Sequence, residues 1–127
     1  MEIEKKEIKP PVLNYLGKWV NSYDKARVIG DVTFFVNNGE LFMAATGSET
    51  GYRPGEWKAV PVQFYSYSPD AADVVAFRAQ FELEDMCAFL AMNDNKGLLI
   101  IAGYFSYKKN EGRSDFFVRE FFSKCNP

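Results

Sequence analysis

The amino-acid sequence predicts an all-β domain: a single antiparallel, eight-stranded up-and-down barrel behind a short N-terminal arm. Three observations lead there. Twelve Phe, seven Tyr and two Trp make up 17% of the 127 residues, and such side chains suit a pleated, half-buried surface. Apolar residues alternate with period two, most plainly Val75, Phe77, Ala79, Phe81 and Leu83 against Arg78, Gln80, Glu82 and Glu84, the mark of strands with one face in a core. Turn signals separate these segments at short intervals, with no helix-length pattern to carry a crossover, so neighbouring strands must run antiparallel.

Residues 1–15 form the arm: a charged stretch to Lys9, then Pro10 and Pro11, which block a regular strand and break a long helix. A short helical turn or docked cap fits there. Residues 16–127 hold the barrel. The first strand covers 17–21. The second covers 25–36, with Val28, Val32, Phe34 and Val36 on one parity and Asp31 and Thr33 on the other. Asn37, Asn38, Gly39 and Glu40 make a hairpin turn, because Asn-Gly accepts the positive φ angles that tight hairpins need. The third strand covers 41–46.

The stretch 47–55 contains three Gly and one Pro and reads as a lid at the barrel mouth. It lacks the Gly-Lys-Ser/Thr ending of a phosphate-binding loop. A fourth strand runs over 57–67 and is interrupted by Pro61, which cannot donate a ladder bond, so a bulge or strand edge belongs there. After a turn at 68–73, the remaining strands cover 74–84, 86–92, 98–107 and 115–124, with turns at 93–97 and 108–114. Eight such strands remove both sheet edges by closing on themselves.

Composition excludes much chemistry. The chain has no histidine, which removes a Ser-His-Asp triad, a Cys-His pair, His-ligated haem and a His-based zinc site. Cys87 and Cys125 alone cannot make a four-thiolate site. The charged start shows no secretory signal and no membrane span is visible, so a cytoplasmic protein with two free thiols is expected. The net charge is −2, with seven acids against three bases over 49–85 and six bases against three acids over 96–124. That is too sparse for a nucleic-acid face. No cofactor, metal or catalytic residue is expected.

The first strand begins Leu16-Gly17-Lys18-Trp19-Val20-Asn21. A Gly-x-Trp at this point of an eight-stranded barrel resembles the calycin group (lipocalins, fatty-acid-binding proteins and avidins), and Gly-Lys-Trp-x-Asn looks especially like the avidin start. The resemblance implies that a basic residue on or after the last strand packs over Trp19 and closes the barrel base. Arg119 fits that place, with Lys124 as the second choice. The biotin pattern is not retained. Lys25 stands where a small hydroxyl belongs, and no Trp follows Trp57.

A barrel of this kind holds side chains or one small ligand. For a largely apolar ligand the expected contacts are Phe34, Met43, Phe77 and Phe81 inside, with Asn21, Tyr23, Gln63, Tyr65 and Tyr104 to orient it. The alternative is an assembly domain with a filled barrel. The strands within 86–124 are apolar on both parities, and a strand apolar on both faces must hide both. That predicts a homo-oligomer formed through this region. The third reading is a His-free enzyme using Glu120, Tyr104 or Arg119. Glu120 is the one acid embedded in an aromatic strand, and it faces opposite to Arg119.

Overall fold

The computed structural model describes residues 7–125. A short 3₁₀ turn, Pro10–Tyr15, precedes nine strands: β1 (Gly17–Asn21), β2 (Ile29–Asn37), β3 (Glu40–Gly47), β4 (Gly55–Pro61), β5 (Gln63–Tyr65), β6 (Ala76–Glu82), β7 (Met86–Asn95), β8 (Leu98–Tyr107) and β9 (Phe116–Lys124). All paired strands are antiparallel, in the order β4-β3-β2-β1-β9-β8-β7-β6-β5. The first strand thus meets the last, and the sheet is a nearly closed up-and-down barrel.

The ninth strand comes from Pro61. The expected fourth strand is divided there into β4, which pairs with β3, and β5, which pairs with β6. Pro61 has no N–H to give. Val62, directly after it, donates its own N–H to Leu41 O at 2.9 Å. The chain therefore passes from one end of the sheet to the other by turning a corner. The barrel is closed here by covalent continuity rather than by a ladder. The pairing of β3 and β4 also slips between Met43 and Ala45, the bulge that Pro61 led us to expect nearby.

Other boundaries moved. The second strand starts at Ile29, not at residue 25, and the segment before it is a loop. Val75 precedes β6 and is exposed, while Val74 takes the core position. The 47–55 loop is pinned to the 27–28 segment rather than swinging free: Ser48 N–H donates to Val28 O and Tyr52 N–H to Arg27 O, both at 2.8 Å. Gly51 permits this approach, since a Cβ there would lie 2.3 Å from Arg27 O.

The interior is filled by side chains. Val32, Phe34, Leu41, Met43, Phe77, Phe81, Leu90, Phe105 and Phe122 are all buried within one cluster. Phe34 meets Phe77 at 5.4 Å between ring centroids. Trp57 stands edge-on to Phe81 at 5.4 Å and to Phe105 at 6.4 Å. Such pairs add about 0.5–1.5 kcal/mol each beyond the area they bury. Each tryptophan donates its indole N–H to the carbonyl four residues earlier: Trp19 to Tyr15 O at 3.0 Å, Trp57 to Arg53 O at 3.1 Å.

The base is closed by Lys124, not by Arg119. Lys124 is opposite Trp19 in the β1–β9 ladder. Its Nζ lies 5.8 Å from the centre of the Trp19 ring and donates to Asn14 O at 2.6 Å. Arg119 is on the opposite parity, exposed, with its guanidinium over Phe121 at 5.1 Å. Strand parity decides this: Trp19 faces inward, the more buried residues of β9 are Phe116, Val118, Glu120 and Phe122, and Lys124 continues their parity at the exposed barrel end. No helix among the described residues is long and apolar enough to cross a membrane.

Two outcomes follow. Lys124→Met should lower the unfolding free energy by about 1 kcal/mol, whereas Arg119→Ala should change it by less than about 0.5 kcal/mol; urea denaturation of both variants checks this. The Tyr15 hydroxyl donates to Asp94 at 3.3 Å, and burial, then the Asp94 charge, push its pKa up. A folded-state pKa raised above the ordinary value of about 10 favours the protonated phenol. Its contribution is therefore intact below pH 10 and lost as the pH rises through the folded value. The alkaline fall in Tm should be shallower in Tyr15→Phe.

Candidate functional site

The residues expected to contact a ligand do not converge. Phe34, Met43, Phe77 and Phe81 lie in the core, packed against one another. Gln63, Tyr65 and Tyr104 are exposed on the outer surface. There Gln63 bonds both Tyr65 (2.8 Å) and the Arg78 guanidinium (2.5 Å). Only Asn21 and Tyr23 share a concavity. It also takes in Arg119 and Phe117, together with Ser22, Arg27 and Val118, which were not among the expected site residues. Arg27 went unnoticed because its segment reads as strand, while it is in fact part of the loop that borders β9.

This concavity follows from how β1 ends. β1 pairs with β9 only through Trp19–Lys124, Val20–Ser123 and Asn21–Phe122. Ser22 N–H adds one bond to Phe121 O at 2.8 Å, and the chain then departs. From Phe116 to Glu120, β9 keeps its ladder to β8 but has nothing paired on its other side among the described residues. A groove of about 420 Å³ opens along this seam. A second, of about 330 Å³, continues it past Tyr52, Tyr107 and Arg113, sharing Arg27, Phe117 and Val118 with the first.

Glu120 lies at the inner side of the seam. Asn21 Nδ2 donates to its Oε2 at 3.0 Å and also to Ile29 O at 2.9 Å. Glu120 Oε1 is buried and has no hydrogen-bond partner among the described residues. A buried acceptor left without a hydrogen bond costs about 1–3 kcal/mol. Arg27 and Arg119 flank the groove, are exposed, and take part in no ion pair among the described residues. Arg113 differs: it bonds Asp85 at 3.3 Å and lies over the Tyr107 ring at 4.0 Å.

A second feature occupies the outer face of β7–β9. Phe89, Tyr104 and Phe117 stand opposite one another on three adjacent strands, with centroids 6.2 Å and 5.1 Å apart along the row. The next row is Arg78, Ala91, Ala102 and Arg119, and the one beyond it ends in Ile100 and Phe121. Ile100 faces outward, yet only 5% of it is exposed, so its neighbours already cover it. At the foot of this face Cys87 contacts Gln80 and Glu82, and burial followed by the Glu82 carboxylate pushes its thiol pKa up. That makes it a poor nucleophile. The described residues contain no group of three or more His, Cys, Asp or Glu that could hold a metal ion.

The fold and its surface define a side-chain-filled, nearly closed antiparallel barrel, with Asn21, Arg27, Arg119 and Glu120 along one open seam and an aromatic row on the outer face of β7–β9. Comparison with protein-family models, with curated proteins and with solved structures finds no match.

Among the described residues, Asn21 is the only side chain that donates to the Glu120 carboxylate. Asn21→Ala should therefore destabilise the fold by about 1–3 kcal/mol. Adding Glu120→Ala should recover part of that loss. A double-mutant cycle by chemical denaturation reads the coupling.

Proposed function

We propose that this protein is a non-catalytic interaction module that assembles with a second copy of itself through the outer face of β7–β9, within residues 86–124. The observation that carries this reading is the row Phe89–Tyr104–Phe117 beside the exposed Phe121, on a barrel whose interior is already full. Tyr104 and Phe117 are each about half exposed, at 52% and 51%. Contiguous apolar surface of this kind, rimmed by polar groups, marks interfaces.

A second copy suits this face. Ala91 and Ala102 form a shallow trough between the ridge Phe89–Tyr104–Phe117 on one side and Phe121, beside the covered Ile100, on the other. A two-fold rotation lays the ridge of one copy into the trough of the other, which is the self-complementarity an isologous contact requires. Arg78 lies over Phe89 at the β6 side of the patch, and Arg119, between Phe117 and Phe121 on β9, lies over Phe121, so both cations pack on the aromatic rings. Aromatic and arginine side chains are enriched in interfaces, and lysine is depleted. The net charge of −2 sets up little repulsion between copies.

An apolar ligand inside the barrel has less support, because the four side chains expected to line its site fill that space themselves. The start at Gly17 and Trp19, with Lys124 over the indole, favours a calycin-like version of the barrel.

Sedimentation velocity tests the assembly. The wild-type chain should sediment as a dimer. Tyr104→Glu and Phe117→Glu should each weaken association at least tenfold, with thermal unfolding of the monomer little changed because both positions are exposed. A wild-type chain that stays monomeric at its highest soluble concentration overturns the proposal.

A further inference from the structure

The seam beside β9 has main-chain chemistry of its own, although Phe117, Arg119 and Phe121 also belong to the outer aromatic face. Ser22 N–H donates to Phe121 O, and Cys125 N–H donates to Lys18 O. Odd-numbered residues of β9 therefore turn their main-chain groups toward β1, since alternate residues of an antiparallel strand bond to opposite sides. By that alternation, Phe117 and Arg119 direct N–H and C=O into the groove. Neither meets a main-chain partner there among the described residues. The unpaired stretch, Phe116 to Glu120, is about 17 Å long at ~3.4 Å per residue.

We propose that this edge accepts an extended acidic peptide segment of a partner protein, added as a strand between β9 and the 22–28 loop. Main-chain bonds to Phe117 and Arg119 would hold the segment, as in other strand additions. Side chains of the added strand that face outward lie beside Arg119 and across from Arg27, two exposed cations in no ion pair among the described residues. Carboxylates match them. Side chains that face inward meet Val118 and Glu120. A small apolar group suits Val118, and a hydroxyl beside Glu120 supplies the donor that its buried Oε1 lacks. The preferred segment thus alternates acidic residues with valine and threonine.

The test uses the full chain and a synthetic pentapeptide of alternating glutamate with valine and threonine. Binding, read by fluorescence anisotropy, should coincide with slowed hydrogen exchange at the Phe117 and Arg119 amides. Replacing the threonine by valine should weaken binding severalfold. An alternating valine–lysine peptide should not bind the wild type but should bind the Arg27→Glu/Arg119→Glu variant. Arg119→Ala and Arg119→Pro separate charge from main chain: both lose the guanidinium, but only the proline also loses the seam-facing N–H, and it leaves the even-numbered bonds to β8 intact. Proline should weaken binding at least tenfold beyond alanine, with thermal unfolding confirming that both variants fold.

Equal binding of a peptide N-methylated along its backbone would overturn the proposal, as would free glutamate competing as well as the peptide. So would preferential binding of a short single-stranded oligonucleotide. Protection of the two amides that appears without peptide and grows with protein concentration would assign the edge to a second copy instead. The Tyr104→Glu variant should bind the peptide normally, so failure of the self-assembly reading leaves this result unaffected.

Discussion

Everything in this barrel depends on a short ladder between the chain's two ends. Three residue pairs join β1 to β9. Without them the sheet is an open ribbon, with a bare strand exposed on each side of the break. Trp19 and Lys124 sit opposite each other at the base of that ladder, so the ring that plugs the barrel end is covered by the strand that completes the wall. The lysine also caps the carbonyl of Asn14 and so ties the preceding 3₁₀ turn to the same corner. Closing a loop of some hundred residues carries a large entropic cost. This cluster of pairing, aromatic packing and charge offsets it at one place.

The shortness of the ladder shapes the surface. β9 is nine residues long and β1 is five, so part of β9 has to remain unpaired. The 22–28 loop and the pinned 47–55 loop border the gap without filling it. Protein sheets usually guard such an edge with proline, lysine or a bulge. Here it is bordered by two arginines and by a carboxylate with one buried oxygen that has no partner among the described residues. The corner at Pro61 and Val62 is the other departure from a regular barrel. It is resolved differently, because the chain itself spans the discontinuity and Val62 returns its N–H to β3.

A full interior and an aromatic exterior are linked. Two tryptophans and a set of phenylalanines satisfy the inward parity, so the remaining aromatics of β7–β9 have only the outer face to occupy. Cation–π contacts from Arg78 and Arg119 partly shield them. Ile100 is almost wholly buried on the outside of the wall, so this face already behaves as a small second core.

The strand pattern was legible in the sequence because it is local. Period-two alternation set the inward residues of β6, Asn38-Gly39 set the hairpin, and Pro61 set the interruption. The double-sided apolar character of β7 to β9 was legible for the same reason. Which basic residue covers Trp19 was not, since it depends on the register between strands about a hundred residues apart, and a shift of one residue exchanges the two faces. The convergence of Asn21, Arg27 and Glu120 was also invisible, because it arises where β1 leaves β9. Sequence alone determined that this chain forms an antiparallel β-barrel without histidine chemistry. Only the tertiary structure decided that its interior is filled, that Lys124 closes it, and that Arg27, Arg119 and Glu120 gather along an unpaired edge, because these follow from register and closure, which no local pattern encodes.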